Sequence, residues 1–190
     1  MMTVGFAMCG SFCTYAKVFP VMEALAAQYR VIPIFSDAAR GIDSRFGSAK
    51  EHWQLAERIC GTAPLHTIDQ VEPIGPKKLL DALIIAPCTG NTLAKLAHSI
   101  ADTPVTMAAK SHLRNGRPVL IAVSINDALA GAAENIGKLL GRKHYYFVPF
   151  GQDDPFGKPC SLVAKFDQLS PALRAAAEGY QLQPLLIGEK

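Results

Sequence analysis

Five short stretches of the chain are apolar without alternation: Thr3–Met8 (TVGFAM), Val31–Phe35 (VIPIF), Ala82–Ala86 (ALIIA), Pro118–Val123 (PVLIAV) and Tyr145–Phe150 (YYFVPF). A strand with one wet face alternates polar and apolar residues, so these runs belong to strands covered on both faces. Between them lie stretches with helical spacing. Thr14–Tyr29 carries Val18, Val21, Met22, Leu25 and Ala26 on one side, and Asn91–Ile100 carries Leu93, Leu96, Ala97 and Ile100. Glu51–Cys60, Pro104–Leu113, Asp127–Leu140 and Pro171–Gly179 read as further helices. Ser36–Lys50 is polar and Gly-containing and reads as a long loop, and Pro33 places the second strand near a sheet edge. Strands alternating with helices predict a three-layer α/β fold, a Rossmann-like doubly wound parallel sheet.

With 190 residues, 49% of them hydrophobic, the chain is expected to form a single domain spanning 1–190. Only 18% of residues are charged, which excludes a disordered chain. No apolar run approaches the roughly 20 residues of a membrane helix, and the first eight residues lack the basic region of a secretory leader. No membrane partner is therefore expected. The net charge of +3 is spread thinly, with small clusters at Lys77-Lys78 and Arg142–His144, so no nucleic-acid footprint is expected either. Cysteines stand at 9, 13, 60, 88 and 160, an odd number with no Cys-x-x-Cys pair. Disulfides and a metal site are not expected, and a reduced cytoplasmic setting is the default.

In a doubly wound sheet, ligands bind at the carboxyl ends of the strands. The first turn there, Cys9-Gly10-Ser11-Phe12-Cys13-Thr14, is neither a dinucleotide fingerprint nor a P-loop. Gly10 allows close backbone approach, while Ser11 and Thr14 offer hydroxyls to a phosphate beside a helix N-terminus, or merely cap that helix. The third turn, Pro87-Cys88-Thr89-Gly90-Asn91-Thr92, is dense in small polar groups. Asn91 or Thr92 could cap the next helix, but more donors are present than one cap needs, and they suit the polar edge of a planar ring. Lys95 is either solvated or reaches back to this loop. Asp153-Asp154-Pro155 follows the last strand, where a general base and ordinary turn chemistry are both open. His98, beside the core, reads as packed rather than catalytic, and Cys88 as a small buried residue rather than a reactive thiol.

The stretch IIAPCTGNTLAKLAHSIAD (Ile84–Asp102) resembles the signature of the homo-oligomeric flavin-containing cysteine decarboxylase superfamily: a strand, a Pro-Ala-Ser/Thr-Ala-Asn-Thr-like turn, then Lys-x-Ala and a later Asp. This resemblance implies an FMN site formed by Gly10, Ser11, Thr14, Ser36, Pro87, Thr89, Asn91, Thr92, Ser124 and Asn126. It also implies a homo-oligomer, a trimer or dodecamer, with FMN between protomers. The segments GSFCTYAKVFP, RFG, EPIGPKKLLDALIIAPCTGNT, DTPVTMAAKSHLRNGRPV, SINDALAG and FVPFGQDDPFGKPCSLVA resemble, across nearly the whole chain, one branch: the B subunits of dipicolinate synthases. That branch implies oxidation of a dihydro- or hydroxytetrahydro-pyridine-2,6-dicarboxylate to dipicolinate in the mother cell of a sporulating bacterium. It implies a separate dipicolinate synthase A subunit, which carries NAD(P).

Two departures set this chain apart from the decarboxylases. The His they place eight residues before the Asp opening the third strand is Pro73 here, counting from Asp81. Their Pro-x-Met-Asn clamp reads Val123-Ser124-Ile125-Asn126, which keeps only Asn126. Decarboxylation by the known route is therefore not expected, and no catalytic residue is identified. A non-catalytic assembly protein with a vestigial flavin site, and an FMN-dependent decarboxylase or prenyltransferase-like enzyme, stand as alternatives. For a dicarboxylate substrate, Arg45 in the second loop and Lys110 and Arg114, four apart on a helix, are the candidate clamps.

Overall fold

The computed structural model describes residues 1–188. Strand β1 (Thr3–Met8) leads through a 3-10 turn at Phe12–Thr14 into α1 (Tyr15–Ala26), then β2 (Arg30–Phe35). Next come α2 (Asp37–Gly41), α3 (Ala49–Cys60) and α4 (Ile68–Val71), a 3-10 turn at Glu72–Ile74, and β3 (Ala82–Cys88). Helices α5 (Gly90–Ala97) and α6 (Pro104–Leu113) precede β4 (Val119–Ile125), and α7 (Ala133–Leu140) precedes β5 (Tyr145–Phe147). The short strands β6 (Phe150–Gly151) and β7 (Leu162–Ala164) and helix α8 (Leu169–Ala177) complete the chain.

Strands β2, β1, β3, β4 and β5 pair in that order, all parallel. This is a doubly wound order, and the crossovers explain the two-sided burial of the strands. In β1, Val4, Phe6 and Met8 face one layer with Tyr15, Val18, Phe19, Met22 and Leu25 of α1 and Leu169, Ala172 and Leu173 of α8. Ala7 faces the other, where Leu93 and Leu96 of α5, Val105 and Ala108 of α6, and Ile136 and Leu139 of α7 pack. The chain therefore leaves β1 toward one face and β3 toward the other. The switch point lies between those two strands.

Five sequence expectations need correction. Ser36–Lys50 is not one loop, because Ser36 caps a short helix, its hydroxyl accepting the Ala39 N–H at 3.2 Å. A tight Ser44–Gly47 turn follows, and Asp43 and the Ser48–Glu51 capping box then start α3 before Glu51. Asp127–Leu140 is helical only from Ala133, since Asp127 accepts the amides of Ala130 and Ala132 on its carbonyl and opens with turns. Tyr145–Phe150 breaks after Phe147, and Phe150 pairs instead with β7. That piece is antiparallel, as is β4 with β7, so the sheet is parallel only in its main part. His98 is exposed at the end of α5 rather than packed. Pro33 does sit on the edge strand, where its carbonyl accepts the Leu65 amide at 2.9 Å and the Leu65 carbonyl accepts the Phe35 amide at 2.8 Å.

Candidate functional site at the carboxyl edge

The parallel strands deliver their carboxyl ends to one edge, and the polar turns collect there. Ser11 Oγ donates to the Ser124 carbonyl at 2.9 Å, spanning from the β1 turn past β3 to the end of β4. Thr92 Oγ1 donates to Cys9 Sγ at 3.3 Å and so joins the β1 turn to α5. Ser36 N–H donates to the Met8 carbonyl. Gly10 lies against α2: a Cβ there would stand 3.2 Å from the Ala38 Cβ. Gly90 lies against β4, where a Cβ would meet Ile125 Cγ2 at 3.3 Å. Gly10, Ser11, Thr14, Ser36, Pro87, Thr89, Asn91, Thr92, Ser124 and Asn126 thus share one edge, around the β1/β3 switch point.

Their local roles differ from simple capping. Neither Ser11 nor Thr14 caps the helix that follows, and Thr14 Oγ1 donates back to the Ser11 carbonyl at 2.8 Å. The cap of α5 is Thr89, which accepts from Thr92 N–H. Asn91 and Asn126 are exposed. Lys95 neither reaches the turn nor stands alone, since it pairs with Asp102 at 2.8 Å and its hydrogen bond holds that carboxyl below the usual range. Burial pushes the Cys9 thiol up to about 11 and the Cys88 thiol well above its ordinary value. Both are protonated, inert side chains at neutral pH.

The clamp candidates separate. Arg45 sits in the Ser44–Gly47 turn on the carboxyl-edge side, exposed, with its guanidinium 4.8 Å from the Phe46 ring centroid. Lys110 and Arg114 lie at the other end, where α6 runs into the start of β4; the neighbouring Asn115 bonds the Gly75 carbonyl ahead of β3. Within one protomer they do not reach the crevice. Asp154 accepts the Gly157 amide and Asp153 pairs with Lys158 at 3.3 Å, which is turn chemistry. Pro73 lies in the 3-10 turn before β3 and offers no titratable group. Among the described residues, no group of three metal-ligating side chains occurs and all five cysteines are free. No helix of the described residues is long and apolar enough to cross a membrane. Tyr15 and His52, which pack beneath this edge, escaped the sequence reading, because nothing in a single sequence distinguishes them from ordinary core residues.

Part of this set could serve the phosphate and ring edge of FMN, while Thr14 and Thr92 spend their protons within the protein. Ser36 keeps its hydroxyl proton while accepting from Ala39, and the first N–H groups of α5 face the crevice end with Asn91 beside them. Ser11 has one proton, held by Ser124, and would exchange that carbonyl for a phosphate oxygen.

Comparison with known proteins shows the family of the chain. The flavoprotein family model matches residues 1–144. The dipicolinate synthase B subunit of Bacillus subtilis (strain 168) is 43% identical over 185 residues, covering 97% of this chain and 92% of that protein. The crystal structure of the dipicolinate synthase B subunit from Bacillus halodurans C has a TM-score of 0.91 at 42% identity, covering 100% of this chain and 97% of that one. The FMN-dependent cysteine decarboxylase SpaF shares the fold, with a TM-score of 0.71 at 23% identity over 93% of this chain and 98% of that one. The chain belongs to the flavoprotein family and, within it, to the branch of dipicolinate synthase B subunits.

Proposed function

We propose that this protein is the B subunit of a two-component oxidoreductase that forms dipicolinate from a dihydro- or hydroxytetrahydro-pyridine-2,6-dicarboxylate. It works with an NAD(P)-dependent A subunit, in the cytoplasm of a sporulating mother cell. The observation that carries the reading is the hydroxyl-rich pair of turns at the β1/β3 switch point, in a chain 43% identical to a B subunit. The hydroxytetrahydro form first loses water to give the dihydropyridine, and aromatising the dihydropyridine removes one hydride and one proton. FMN, when bound, supplies a two-electron acceptor for that hydride. This chain's residues hold and orient: Gly10, Ser11, Thr14 and Ser36 on the phosphate, Pro87, Thr89, Asn91 and Thr92 on the ring edge, Ser124 and Asn126 at the β4 side. Arg45, on the same side of the sheet, meets a carboxylate of the substrate. The nicotinamide belongs to the other component, since this chain has no dinucleotide fingerprint.

A second reading has specific support. Ser11 and Thr14 both spend their protons on main-chain carbonyls, and Pro73 and Ile125 stand where decarboxylases keep a His and a Met. A protein that only assembles with and activates the dehydrogenase component would show those features. The visible spectrum of the purified chain, alone and with added FMN, separates the two. A protein-bound flavin band that bleaches anaerobically with the dihydropyridine supports the redox role. No bound flavin, with full dipicolinate formation by both components and a nicotinamide cofactor, assigns the assembly role.

A further inference from the structure

The Arg45 turn is built with unusual care for an exposed loop. Ser44 and Gly47 exchange two backbone hydrogen bonds at 3.0 and 3.1 Å, and the Phe46 amide donates to Ser44 Oγ at 3.1 Å. Gly47 has φ +126°, a conformation reserved in practice for glycine. A Cβ there would also stand 2.7 Å from His52 Nε2. That nitrogen lies 3.2 Å from the Phe46 carbonyl, and because a carbonyl only accepts, Nε2 carries the proton. His52 is 7% exposed, and its Nδ1 is buried without a partner among the described residues. The ring's single N–H is therefore spent on the turn that carries Arg45.

The other faces of the imidazole run back to the crevice. His52 stacks on Phe19 at 5.8 Å and meets Tyr15 edge-on at 4.7 Å. The Tyr15 hydroxyl, buried, donates to the Cys9 carbonyl at 2.8 Å. Cys9 opens the β1 turn that bears Gly10 and Ser11. One packed column thus links the backbone of that turn, through Tyr15 and His52, to the backbone of Phe46. The hydrogen bond to the Phe46 carbonyl is what an imidazole adds here beyond aromatic packing on Tyr15 and Phe19.

We propose that His52 is the positioning residue of the site: it fixes the Ser44–Gly47 turn relative to the β1 turn, so that Arg45 is presented to one carboxylate of the substrate at a set height above the crevice. This rests on the reading of the crevice as a pyridine-dicarboxylate site. The experiment uses the complex of this chain with its dehydrogenase component and follows dipicolinate formation, with tryptic cleavage after Arg45 as a second readout and cleavage after Arg40 as its internal control. Arg45→Met raises KM about tenfold with kcat little changed, the loss of one charge-assisted contact. His52→Phe raises KM in the same direction by about threefold and speeds cleavage after Arg45, because the turn is released but the cation remains. His52→Gln, whose amide can donate to Phe46, restores both to within about twofold. Gly47→Ala, which pushes against the imidazole from the turn side, reproduces His52→Phe and serves if that variant folds poorly. A raised KM in Arg45→Met with unchanged KM and cleavage in both His52→Phe and Gly47→Ala overturns the positioning role alone. An unchanged KM in Arg45→Met overturns the dicarboxylate reading of the turn and the proposal with it, while the cleavage rates still report whether His52 holds the turn.

Discussion

Ser11 has a single hydroxyl proton, and the Ser124 carbonyl holds it in the free protein. Binding a phosphate at Ser11 exchanges one hydrogen bond for a stronger, charge-assisted one. Charge-assisted bonds contribute about 1.5–3 kcal/mol and neutral ones about 1. The net loss in Ser11→Ala is therefore at the low end, about tenfold in FMN affinity by flavin-fluorescence titration. Asn91 is exposed and surrenders no such bond, so Asn91→Ala loses about three- to tenfold. Unchanged affinity in both variants would remove the flavin from this edge. His112 makes a different residue-scale case. It is fully buried on α6, its Nε2 bonding the Pro118 carbonyl at 3.1 Å, and its Nδ1 has no partner among the described residues. Burial lowers its pKa from 6.5 to about 4, against the bond to Pro118; Arg117 adds to the lowering and Asp81 opposes it. Below 6.5 the unfolded chain takes up a proton that the folded chain refuses. Stability contributed by the neutral imidazole is thus complete above pH 6.5 and drains away as pH falls toward 4, by up to about 3 kcal/mol. Urea unfolding from pH 7 to 4 shows this slope. His112→Asn, which does not titrate, lowers stability at pH 7 and removes this contribution to the slope.

At the level of elements, α5 carries the crevice turn at its N-terminus and is only eight residues long. A helix that short does not hold itself. Its carboxyl end is closed by Arg142, whose guanidinium donates to the Ala97 carbonyl at 2.7 Å and the Leu96 carbonyl at 3.2 Å. A cation on the last carbonyls also suits the helix dipole. Arg142→Met therefore costs about 1–3 kcal/mol, which in a chain of this size is roughly 2–10 °C in Tm. Amide exchange in that variant rises first in residues 90–98, and loosening there weakens FMN binding without any change to the site residues. Exchange that leaves residues 90–98 as protected as before would show that Arg142 does not hold α5.

At the scale of the whole molecule, the polar turns gather at one edge of the sheet, and Lys110 and Arg114 lie at the opposite end. Within one protomer those two cations stand away from the polar turns, so a role for them in binding would need a neighbouring protomer. A homo-oligomer that completes the crevice with a neighbour makes ligand affinity depend on protein concentration, because binding is linked to assembly. FMN affinity is then expected to fall as the protein is diluted through its assembly midpoint, with mass measured in parallel by light scattering. Affinity that stays constant while the assembly dissociates would place the whole site within one chain.

Much of this was legible in the residues themselves. Apolar runs without alternation require strands buried on both faces, and with the helices between them they predict the layered sheet. The turn after β3 stands out in the sequence for its small polar residues, of which Thr89 caps α5 and Thr92 bonds Cys9. What the sequence could not carry is pairing between distant groups: Ser11 with Ser124, Thr92 with Cys9, His52 with Phe46. Local patterns report what each residue does to its own element, through propensity, period and capping. Whether a hydroxyl proton is free, whether a lysine stands at the crevice or behind it, and which ring holds a loop depend on which segments the crossovers bring together. Tertiary structure decided those, since hydrogen bonds act over about 3 Å and the sequence separations that they bridge here run up to 113 residues.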